Sequence, residues 1–138
     1  DKEYHCSKVW NDKITLHGYK DLVHFGSKLF SEIKSGRNKK GQAWFLKQMQ
    51  WKFYSYLTGF RKVLFVDVTL NYDDADIKNT LKIKTLDKYY HEVTDKELAE
   101  VEPWFTPAIE GILAGKFEDD LVDGKCQGCM YKENCHYA

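Results

Sequence analysis

Apolar and polar residues alternate along Ile14-Thr15-Leu16-His17-Gly18-Tyr19-Lys20-Asp21-Leu22-Val23, and Lys28-Leu29-Phe30-Ser31-Glu32-Ile33-Lys34 follows a turn at Gly26-Ser27. A period of two suits strands with one buried face, so these runs predict a β-hairpin. Residues 2–10 predict a third strand ahead of it, paired through the turn Asn11-Asp12. Ser35-Gly36-Arg37-Asn38-Lys39-Lys40-Gly41 has no apolar period and reads as a basic, glycine-bounded loop. The period then becomes helical. Phe45, Met49, Phe53, Tyr56 and Leu57 recur across residues 42–58, and Gly59 stands where a C-terminal cap belongs.

Val63-Leu64-Phe65-Val66-Asp67-Val68-Thr69-Leu70 is almost continuously apolar and β-prone, which predicts a central strand covered on both faces. Turn chemistry at Asn71-Tyr72-Asp73-Asp74 precedes a further strand over residues 77–86. Thr94 with Glu97 three residues on forms a capping-box pattern, opening a helix to about residue 114 with a break at Pro103. Together the elements predict an α/β fold, a mixed central sheet flanked by helices. Residues 115–138 have too little apolar periodicity to hold themselves together, so a core over 1–114 is expected to carry a stapled tail.

A chain of 138 residues suits one domain, and 43% hydrophobic with 30% charged residues excludes a disordered or membrane class. No apolar run approaches the roughly 18 residues of a bilayer span, and Asp1-Lys2-Glu3-Tyr4-His5 lacks the apolar core of a secretion signal. A soluble, cytoplasmic protein without a membrane partner is expected. The net charge of zero hides an asymmetry: residues 1–62 hold 13 Lys+Arg against 5 Asp+Glu, and residues 63–138 hold 8 against 16. A basic half gathered on one face would hold a polyanion, and a scattered one is a set of solvated lysines.

The hairpin brings Asp21 towards Glu32 and Lys34, two carboxylates and an ammonium, at one end. Oxygen donors of this kind suit Mg²⁺ or Mn²⁺, which activate water and neutralise charge in phosphodiester hydrolysis. An acid followed two residues later by lysine is also common on solvated strands. Gln50 and Tyr54, four apart on the helix, project from one face, as pairs on ordinary amphipathic helices do.

The order Gly18-x-x-Asp21, Glu32-x-Lys34-x-Gly36, Gln50-x-x-x-Tyr54 resembles the RecB-like branch of the PD-(D/E)XK nuclease superfamily. The resemblance implies that Asp21, Glu32 and the carbonyl of Ile33 bind Mg²⁺ or Mn²⁺, that Lys34 positions the attacking water, and that Gln50 and Tyr54 contact the DNA strand. In such relatives an N-terminal helix supplies a further His or Glu near the metal. No helix precedes the first strand here, so the chain is expected to lack that helix. His5 and His17 read as solvated or paired strand residues.

Three of the four cysteines, Cys126, Cys129 and Cys135, fall within the last thirteen residues. Close thiolates without a secretion signal point to a metal, zinc or iron–sulfur, rather than to disulfides. The same spacing after Gly111-Ile112-Leu113-Ala114-Gly115-Lys116-Phe117 resembles the C-terminal end of AddB-type and CRISPR-associated RecB-like nucleases, which implies a 4Fe-4S cluster. Its fourth ligand is left open between Cys6, His136 and a residue upstream. Cys6 reads equally as a small buried hydrophobe in a strand.

The expected activity is metal-dependent hydrolysis of DNA, exonucleolytic on single strands or ends. Arg37, Lys39 and Lys40 would grip phosphates without reading sequence. Trp44 and Trp51 would either stack on bases or belong to the core. The alternatives are a nucleic-acid-binding module without turnover, and a subunit acting beside a protein partner in a helicase–nuclease or CRISPR adaptation complex.

Overall fold

The structure, a computed structural model, describes residues 4–71 and 82–115. Strand β1 (Tyr4–Asn11) pairs antiparallel with β2 (Ile14–Lys20) through the turn at Asp12-Lys13, where Lys13 N–H donates to Asn11 Oδ1 at 2.9 Å. A second sheet runs in the order β3 (Leu22–His24), β4 (Leu29–Gly36), β5 (Lys62–Asn71), β6 (Lys82–Glu92). Its outer pairs are antiparallel and β4–β5 is parallel, so the sheet is mixed and the fold is α/β with flanking helices. The parallel crossover carries the helical segment 42–58, as parallel neighbours need a connection of a dozen or more residues.

That segment is two helices, α1 (Gln42–Leu46) and α2 (Met49–Thr58), where one was expected. Gln48 is extended (φ −79°, ψ 137°), and tertiary contacts hold the break: Trp51 Nε1 donates to Phe45 O at 2.8 Å and Gln48 Nε2 to Trp44 O at 3.1 Å. Gly59 ends α2 in the left-handed region (φ 70°), its N–H returning to Ser55 O. Strand β6 also differs from expectation. It continues to Glu92, through the polar pair Asp87-Lys88, and residues 77–81 lie outside the described residues.

Thr94 and Glu97 form the expected capping box of α3 (Asp95–Ala99). The break before α4 (Val101–Leu113) falls at Glu100, however, and Pro103 sits in the first turn of α4, where its missing N–H costs no helical bond. Along β5, Val63, Phe65, Asp67 and Thr69 are buried and the alternate residues half-buried, so the strand has one core face rather than two. Phe30, Phe45, Trp51, Val63, Phe65 and Val93 form the core. Phe45 stacks on Phe65 at 5.0 Å and Trp51 meets Phe65 edge-on at 5.7 Å, which ties α1 and α2 to β5. The chain divides into two compact units, Asp1–Trp104 and Phe105–Ala138. No helix among the described residues is long and apolar enough to cross a membrane.

Candidate active site

Asp21 occupies the bend where β2 gives way to β3. Its Oδ2 accepts the Ile33 N–H at 2.9 Å, so the acid is pinned to the strand that carries Glu32. In extended backbone the N–H and C=O of one residue leave on the same side, so the Ile33 carbonyl faces the same edge as Asp21. Glu32, on β4, is 3% exposed. Burial pushes its carboxyl up from the usual range; Lys34 pulls it back, and Asp21 adds to the rise.

Lys34 shares the face of Glu32, two residues on, and its Nζ lies 2.6 Å from Glu32 Oε1. The ammonium is the partner of this buried oxygen and holds the carboxyl's pKa down against the effect of burial. Lys34 Nζ also donates to Gln50 Oε1 at 3.0 Å, and Gln50 Nε2 donates to Tyr54 Oη at 3.0 Å. Glu32, Lys34, Gln50 and Tyr54 thus form one continuous chain of contacts from β4 to α2. Burial pushes the Tyr54 phenol up, so it stays a proton donor over the neutral range.

Gly18 permits this approach. A Cβ there would stand 2.9 Å from Tyr54 Cε1 and 3.0 Å from Leu57 Cδ1, closer than carbon atoms pack. The glycine of Gly18-x-x-Asp21 therefore seats helix α2 against β2, and through Tyr54 sets the distance between helix and carboxylates.

Among the described residues no group of three or more His, Cys, Asp and Glu side chains is arranged to hold a metal ion. The donor set at this edge is instead two carboxylates and a peptide carbonyl, all hard oxygens of the kind a divalent cation takes.

The other expected site residues fare differently. Lys39 Nζ pairs with Asp87 of β6 at 2.9 Å, and Lys40 Nζ donates to Ser35 O at 3.3 Å, so both ammoniums already have partners on the protein; Arg37 is exposed. Trp51 is core, with no exposure, while Trp44 is 37% exposed. His5 and His17 pair with each other, Nε2 to Nδ1 at 2.9 Å. Cys6 is buried in β1, its thiol donating to Gly18 O at 3.4 Å, and burial pushes its pKa up. Cys126, Cys129, Cys135 and His136 lie outside the described residues.

Among the buried charges that escaped the sequence reading are Asp67 and Lys20. Asp67 Oδ2 accepts the N–H groups of Lys40 at 2.7 Å and Gly41 at 2.9 Å, anchoring the basic loop; an acid inside an apolar strand was its signal. Lys20 is fully buried, its Nζ donating to Thr58 Oγ1 at 2.9 Å and lying 3.9 Å above the Phe30 ring. An inward position on an alternating strand was the only clue to Lys20.

No known protein family matches the chain, and no curated protein does. The fold is similar to the crystal structure of SSO0001, with a TM-score of 0.59 and 18% sequence identity over 99% of this chain. The match covers 59% of that chain. At that identity the likeness concerns the fold.

Proposed function

We propose that the protein is a metal-dependent nuclease of the PD-(D/E)XK type, RecB-like branch, hydrolysing phosphodiester bonds of single-stranded DNA or DNA ends. The observation that carries the reading is the convergence of Asp21, Glu32, Lys34, Gln50 and Tyr54, drawn from three separate stretches of sequence, at one edge. Asp21, Glu32 and the Ile33 carbonyl would hold Mg²⁺ or Mn²⁺, which supplies a Lewis acid for the phosphate and an acidified water.

The remaining work falls to the chain itself. Lys34 presents an ammonium that orients a water and offsets charge gathering on the phosphate. Gln50 accepts from Lys34 and donates to Tyr54, so it positions both. Tyr54, kept protonated by burial, donates to a phosphate oxygen. In the same reading Cys126, Cys129 and Cys135, with a fourth ligand, hold a 4Fe-4S cluster or zinc that supplies folding energy to the tail.

End-labelled single-stranded DNA incubated with the full chain and Mn²⁺ tests the activity. The expected result is loss of label that EDTA and Glu32→Gln each abolish. A protein that binds DNA but never cleaves it, with the cysteine cluster loaded, would make it the binding module instead.

A further inference from the structure

Between β2 and α2 lies a groove of about 690 Å³ that shares Gln50 and Tyr54 with the carboxylate edge and extends to Trp104 on the first turn of α4. Ligand sites commonly fall in this size range. Its walls are unusually aromatic for a solvent-facing surface. Tyr19 and Trp104 are each 56% exposed, and Phe53 meets Trp104 edge-on at 6.3 Å. Exposed rings at a concave surface lose water readily to another flat apolar face. Lys47 on the rim adds a cation, and Gln48 adds an amide.

We infer that this groove binds an unpaired nucleotide of single-stranded DNA, its base stacked among Tyr19, Phe53 and Trp104 and its phosphate drawn by Lys47. The occupant follows from three properties together: ring faces that accept any base, a cation for the backbone, and continuity with Gln50 and Tyr54. A duplex keeps its bases stacked on one another and has no free face to offer. The inference rests on the nuclease reading and sharpens its substrate to the unpaired strand. Met49 and Phe53, two of the residues that recur at helical spacing, line the groove.

The test is binding without turnover. The full chain in EDTA is titrated against fluorescent oligothymidylate, an abasic oligonucleotide of the same length, and a duplex, and anisotropy is read. Oligothymidylate is expected to bind on the order of tenfold more tightly than the abasic strand. Trp104→Ala and Tyr19→Ala, both at exposed positions, are each expected to reduce that preference while leaving abasic binding unchanged. Equal binding of the two strands by the unaltered protein overturns the inference, as does a preference that survives both substitutions together. Cleavage without base preference sinks the groove and spares the nuclease reading. Base preference without Mn²⁺-dependent cleavage supports the groove and sinks the nuclease reading.

Discussion

Two carboxylates lie buried on adjacent parallel strands, Glu32 on β4 and Asp67 on β5, and they are held in opposite ways. Asp67 fixes one oxygen with two main-chain N–H groups, which belong to a loop that Gly41 turns through a positive φ of 74°. Glu32 has, among the described residues, the Lys34 ammonium, on a flexible side chain. Among the described residues Asp67 Oδ1 has no hydrogen bond and Glu32 Oε1 meets the Lys34 ammonium, so completeness does not mark Glu32 as the poorer-served acid. What separates them is exchangeability: main-chain donors cannot leave Asp67 without unfolding the loop, whereas Lys34 can turn to a substrate or a water. Between these two buried acids, the displaceable partner marks Glu32 as the site and the backbone donors mark Asp67 as a brace.

The largest expected effect breaks this contrast directly. Glu32→Gln should lower cleavage on the order of a hundredfold or more, since even groups behind a metal ligand cost 10–100-fold. It should also raise stability at neutral pH. A carboxyl whose folded pKa lies above its unfolded value contributes stability below the unfolded pKa and loses it as pH rises through the folded one, so at pH 7 the charge is a cost. Asp67→Ala should do the reverse, destabilising by about 1–3 kcal/mol through unmet N–H groups and affecting cleavage only through the loop. Urea midpoints and initial rates check both.

Next in size is Gly18→Ala, which should destabilise by about 1–3 kcal/mol as the new methyl forces Tyr54 and Leu57 away. Denaturant unfolding measures it, and a neutral result would mean α2 shifts without cost.

Lys20→Met should stabilise by about 1 kcal/mol at pH 7. Burial drives the Lys20 pKa down from 10.5 to about 8. Between those values the unfolded chain binds more protons, so the stability of the unaltered protein should rise with pH across that window, and the substitution should flatten the rise.

The smallest effect concerns the basic loop. Because Asp87 already pairs with Lys39, Lys39→Ala should leave the salt dependence of DNA binding unchanged. Asp87→Ala should free the ammonium and steepen the slope by about 0.7.

The pairing of β1 with β2 and the capping box were legible in the sequence because turn residues and side-chain caps act locally, through Asn11 and through Thr94 with Glu97; the expected hairpin of residues 14–23 with 28–34 was not, since the run breaks at Asp21, β2 pairs β1 in a sheet of its own, and only Leu22–His24 pairs β4. The spacing of Asp21, Glu32, Lys34, Gln50 and Tyr54 was legible too, but not their contact, which depends on Gly18 lacking a side chain. The break at Gln48 left no mark, having neither glycine nor proline: it is imposed by Trp51 bonding Phe45, a tertiary effect. Pro103 misled because proline disrupts a helix interior but not a first turn. The burial of Lys20 and the groove around Tyr19 and Trp104 depend on how β2 meets α2, which residue patterns along one element do not encode.

Manganese binding tests the central claim most directly. Titrating the full chain into Mn²⁺ and following the free-ion electron paramagnetic resonance signal should show loss of signal with the unaltered protein and none at that site with Glu32→Gln, while Asp67→Asn binds as the unaltered protein does. Equal Mn²⁺ uptake by the unaltered protein and Glu32→Gln would contradict the assignment of Glu32 as the exchangeable acid.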